Sequence, residues 1–157
     1  MSALGTVGKM LQNSLSRGGA KRTTKKPAPE LEKGTFDYIS EPKSDYFSVG
    51  FAKTDVMPDD MDKTTYYVAG YKINNPAKGA LDPMTASAIW IDDQSGRGGV
   101  VFVSIDDIGL TNYDVGIIRD LLADFKKETG CRSINIMSIH NHASIDTVGF
   151  WGPLPRS

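Results

Sequence analysis

Residues 100–139 limit the fold more than any other stretch of this sequence. Val100–Ile105 is a β-branched and aromatic run of strand type. Thr111 then stands as an N-cap, and Asp114 is placed to close a capping box and to favour the positive helix end. Val115, Ile118, Leu122 and Phe125 recur at helical spacing, with Ile117 and Leu121 widening the stripe. Lys126 and Lys127 suit the negative end of the dipole, and Gly130 supplies the stop. Residues 134–139 form the next strand. A strand, one helix over 111–130 and a second strand imply a right-handed crossover and a parallel pair. Apolar and charged fractions of 39% and 24% suit a soluble core, and 157 residues suffice for one domain.

The flanking segments extend this unit. Residues 85–91 read as a strand, and the polar, glycine-rich run DDQSGRGG at 92–99 joins it to Val100–Ile105 as a hairpin. Asp92 and Asp93 lack a complete calcium-loop pattern and read as a solvated turn. Residues 46–52 and the aromatic stretch 64–71 are also strand-like, separated by a polar turn with Pro58. Asn74, Asn75, Pro76 and Gly79 mark a loop. Cys131, the only cysteine, reads as a small core residue and excludes an internal disulfide. The expected class is therefore α/β, with a mixed sheet, a β-hairpin and a βαβ crossover.

Residues 1–44 read as a disordered basic tail, with the ordered domain at 45–157. Gly18, Gly19, Pro27, Pro29 and the cluster Lys21, Arg22, Lys25 and Lys26 cannot build a core. Leu4, Val7, Leu11 and Leu15 offer an alternative, an amphipathic helix making weak membrane-surface contact through residues 1–26. Neither a membrane span nor a signal peptide is expected: Gly5, Gly8, Lys9, Gln12 and Asn13 interrupt the first apolar stretch. A formal net charge of -1 gives no whole-chain field for nucleic acid.

Ligands of βαβ units bind beyond the carboxyl ends of the strands. Asp106 follows one strand of the pair; His140 and His142, the only 2 histidines, follow the other. In extended backbone, positions i and i+2 point the same way, so both imidazoles would face one centre. Zinc accepts imidazole nitrogen, and a carboxylate such as Asp106 can take the second ring N–H of a ligand histidine. A catalytic zinc normally has three protein ligands and a water. Two histidines do not complete that set, leaving Asp106 or residues outside this chain as the third.

Five blocks in this order resemble the N-terminal part of neutral/alkaline ceramidases. VGFAKTDVMP at 49–58 is similar to the family's V-G-x-A-x-x-D-I-T-P, and AGY at 69–71 to its following G-Y block. LDPMTASA at 81–88 resembles its D-P-L-Y-A-R-A segment, with Ser87 replacing Arg. VFVSIDDIGL at 101–110 resembles a strand ending in V-S-x-D. NIMSIHNHAS at 135–144 resembles the family's T-H-T-H motif, with Ile139 and Asn141 in place of the threonines and Ser144 where Gly is common.

The resemblance implies a partial zinc-hydrolase domain that cleaves the amide bond of ceramide to a fatty acid and a sphingoid base. It assigns zinc binding to His140 and a catalytic role to His142 in the same cluster, with Asp106 beside them. The family's further His, Glu and Tyr ligands lie beyond the extent of this sequence. The expectation is thus a truncated or split segment, inactive alone, whose partners are the lipid substrate and the remaining catalytic segment. The alternatives are a non-catalytic fragment or interaction module, and another zinc amide or ester hydrolase.

Overall fold

The computed structural model describes residues 45–152, so the tail read at 1–44 lies outside the described residues. Four strands form one sheet: β1 (Ser48–Asp55), β2 (Thr85–Asp92), β3 (Val100–Ile105) and β4 (Ser133–Ser138). They lie in chain order across the sheet. β1 pairs antiparallel with β2, β2 antiparallel with β3, and β3 parallel with β4. The hairpin and the helical crossover are thus both present.

Strand alternation decides the two faces. Ala86↔Ile105, Ala88↔Val103 and Trp90↔Val101 share the face beneath the helices, extended by Ile134 and Ile136 on β4. Met84, Ile118, Leu122, Cys131 and Ile145 close that core. Cys131 is buried there, as its small apolar character suggests. The opposite face carries Val49, Phe51, Ile89, Ile91, Phe102 and Met137, all exposed. Clean hydrophobic-in, polar-out patterning is therefore absent, and one apolar face of the sheet has no cover among the described residues.

The expected single helix is two: α1 (Asn112–Leu121) and α2 (Ala123–Thr129). The N-terminus follows the expected cap. Thr111 Oγ1 accepts from Asp114 N–H, and the Asp114 carboxylate accepts from Thr111 N–H. Leu122 separates the helices with φ −97° and ψ 9°, its N–H shared between the carbonyls of Ile118 and Arg119. No Pro or Gly forces this break. Leu122 is buried across it, and Phe125 meets Trp90 edge-on, ring centroids 6.3 Å apart. Ile118 is buried as expected, whereas Leu121 is exposed and does not widen the buried stripe. Gly130, at φ 67°, ends α2 in the left-handed conformation expected of a glycine stop.

The stretch 64–71 is not a strand. Tyr67 and Val68 make only isolated bridges, to Pro76 and Ile145. Its aromatic and β-branched composition serves an arch over the sheet end, where Val68 N–H donates to Asn75 O and Ala69 N–H to Ser144 O. Strand propensity measures fit to a half-buried surface, and this arch offers one without a ladder.

Candidate functional site

The β3–β4 register places Ile105 opposite Ser138, so the residues after both strands emerge at one edge. Ile139 N–H donates to Ile105 O at 3.0 Å, and Asn141 N–H to Asp107 O at 2.8 Å. These bonds tie the two strand ends together. Asp106, His140, Asn141 and His142 therefore share one edge of the sheet, as the crossover requires.

The local backbone differs from the extended form expected. β4 ends at Ser138, and His140 has φ 63°, in the left-handed region. The i, i+2 rule consequently does not apply across the two histidines. The rings converge all the same: their centroids lie 4.6 Å apart at an interplanar angle of 83°. Convergence comes from the turn, not from strand alternation.

His140 is exposed, and its Nδ1 lies 2.8 Å from the carbonyl oxygen of Ile108. A carbonyl only accepts, so Nδ1 carries the proton and the neutral ring keeps its lone pair on Nε2. That is the tautomer of an Nε2 metal ligand. His142 is held differently. Tyr71 lies over it with ring centroids 5.1 Å apart, and its Nδ1 is buried without a hydrogen-bond partner. Gly70, at φ 109°, lies directly against this ring, and a Cβ there would occupy the space of Nδ1.

Asp106 takes a different partner from the one expected. Its Oδ1 accepts the Asn141 side-chain amide at 2.5 Å, and the Ile108 carbonyl takes the place beside His140. The left-handed turn at His140 carries the ring to the backbone after β3 and leaves Asn141 facing the carboxylate. Asn141 Oδ1 in turn accepts from Ala143 N–H, and the Ser144 hydroxyl donates to Asn141 O. Asp106 therefore braces the loop between the histidines.

Sequence reasoning passed over Asp107, Asn141, Gly70 and Tyr71. Asp107 is fully buried, and no well-aligned hydrogen bond reaches either carboxylate oxygen. Burial pushes its carboxyl up from 3.8 to about 6, against the pull of the nearby Ser138 and Thr147 hydroxyls and with the push of the neighbouring negative charges of Asp106 and Asp114. The Thr147 hydroxyl donates to Gly109 O at 2.5 Å. Alternation held a signal for Asp107, since Ile105 points into the core and Asp107 follows at i+2. Gly70 and Tyr71 come from a remote segment, and the AGY block that contains them did not by itself tie them to the histidines.

As a cation site the arrangement supplies two imidazoles. Among the described residues no group of three or more His, Cys, Asp or Glu side chains converges. The donor type and the His140 tautomer fit zinc, while the number of donors fills half of a tetrahedral shell. No protein-family model, curated protein or solved structure matches this chain.

Proposed function

We propose that the His140–His142 edge is one corner of a zinc-dependent hydrolase site acting on the N-acyl amide bond of ceramide. The observation that carries this reading is the fixed tautomer of His140, whose Nε2 is left free 4.6 Å, ring to ring, from His142. The ceramidase-like blocks in the sequence supply the substrate class. Zinc held there would polarise the amide carbonyl and activate water. In this reading His140 is the metal ligand, oriented by the Ile108 carbonyl. His142, held by Gly70 and Tyr71, is the second imidazole of the cluster and would act beside the reacting centre. Asp106 is a positioning residue that fixes Asn141 and with it the spacing of the two rings. The remaining ligands come from outside the described residues.

Two measurements test this. Zinc titration by calorimetry should show weak binding that falls at least about tenfold in His140→Ala. Undiminished binding in that variant rules the site out. Labelling with a photoactivatable ceramide should then mark peptides around residues 139–151 and be displaced by ceramide, not by diacylglycerol. Zinc binding without ceramide labelling would favour another zinc amide or ester hydrolase. The incomplete donor set favours a second reading, a non-catalytic segment that retains the fold. Absence of both zinc binding and ceramide labelling would select it. The chain alone should release no fatty acid from ceramide above background, because two imidazoles hold the ion too weakly. Zinc-dependent release by this polypeptide alone would contradict the incomplete-site reading.

A further inference from the structure

Two loops at the histidine edge are joined into one tip by backbone hydrogen bonds. The first doubles back on itself: Tyr67 bridges Pro76, and Ala77 N–H donates to Tyr66 O at 2.8 Å. Its apex is residues 70–74. The second, residues 145–152, lies against it. Asp146 N–H donates to Tyr67 O, and Asn74 N–H to Trp151 O, both at 2.7 Å. The Asp146 carboxylate accepts from the backbone N–H groups of Gly149, Trp151 and Gly152, which sets the second loop's shape.

This tip presents apolar side chains outward. Tyr71 is 87% exposed, Phe150 is 69% exposed and Ile73 is 52% exposed. Lys72 stands exposed between Tyr71 and Ile73. Lys72 is the one charged residue of the 70–74 apex, and the Asp146 carboxylate of the second loop is engaged by three backbone amides. Protruding aromatic and aliphatic tips with an adjoining lysine suit the boundary between headgroups and acyl chains. Tyr71, its ring tilted 49° to that of His142 with centroids 5.1 Å apart, joins the tip to the histidine pair.

We propose that the 70–74 and 149–151 loops dock this edge on the surface of an anionic lipid bilayer, with Tyr71, Ile73 and Phe150 entering the interface and Lys72 meeting the headgroups. Docking would bring His140 and His142 to headgroup depth, where an amphiphile's amide lies. That consequence rests on the lipid-hydrolase reading above; the docking itself is tested without ceramide. The full chain is mixed with vesicles of phosphatidylcholine, with and without phosphatidylserine, carrying brominated acyl chains. Sedimentation should show phosphatidylserine-dependent binding. The brominated chains should quench a fluorescence component that Trp151→Phe removes. Replacing Tyr71, Ile73 and Phe150 together by Ser should lower partitioning roughly tenfold or more, and Lys72→Glu, a change at an exposed site, should lower it specifically on anionic vesicles. Replacing Lys21, Arg22, Lys25 and Lys26 by Gln should leave the Trp151 quenching in place. Parental binding by both tip variants overturns the proposal, as does quenching that survives Trp151→Phe unchanged or is lost with the tail cations. The zinc titration of His140→Ala, done without vesicles, reports on the hydrolase reading alone.

Discussion

Asp107 occupies a position that alternation reserves for a core residue, two after Ile105 and beneath the histidine loop. Its carboxyl stays protonated to about pH 6 because burial penalises the charge. A carboxyl whose folded pKa lies above its unfolded value holds its proton more tightly in the native state. Its stabilising effect is full below about pH 4 and is lost as pH rises through about 6. The span corresponds to on the order of 2–3 kcal/mol. Asp107→Asn should flatten that slope and raise the thermal midpoint at pH 7.5, measured by calorimetry from pH 4 to 8; an unchanged slope would show that the carboxyl is not desolvated. Gly70 makes the converse case. Gly70→Ala meets the His142 ring at an unfavourable positive φ, and should cost about 1–3 kcal/mol and shift the His142 ring resonances in NMR.

The helical crossover is the element whose ends and buried stripe are best defined by side chains. Thr111→Ala removes both the hydroxyl cap and its bond to Asp114, and should lower stability by about 1 kcal/mol in chemical denaturation. Ile118→Asp places a charge among Ile105, Ile134 and their neighbours and should abolish cooperative unfolding. Leu121→Asp, three positions on and exposed, should change stability by less than about 0.5 kcal/mol. Equal effects at 118 and 121 would contradict the assignment of the buried face. Phe125 of α2 meets Trp90 edge-on, and Phe125→Ala should lower stability through loss of that pair.

For the whole molecule, the sheet divides into a helix-covered face and an open one. Val49, Phe51, Ile89 and Phe102 line the open face across three neighbouring strands. A contiguous exposed apolar patch of this kind drives association. Replacing Phe51 and Phe102 by Lys should leave the thermal midpoint nearly unchanged and reduce binding of a hydrophobic dye; a large loss of stability would show that the face is packed in solution. No helix among the described residues is long and apolar enough to cross a membrane.

Local chemistry is what the sequence by itself determined. The Thr111–Asp114 cap, the Gly130 stop, the Val100–Ile105 strand and the parallel pairing around the crossover all follow from neighbours a few residues apart, where propensity and alternation act directly. The shared edge of Asp106, His140 and His142 was legible for the same reason, because parallel strands deliver their carboxyl ends to one side. The tertiary structure alone decided the rest. Residues 64–71 carry strand-like side chains but make only isolated bridges, and they pass over the sheet end, where Gly70 and Tyr71 seat against His142. The left-handed backbone at His140 and the assignment of Ile108, not Asp106, to its ring depend on where the chain turns after β4. Those contacts join residues distant in sequence, and their energies arise only once the sheet has brought the loops together.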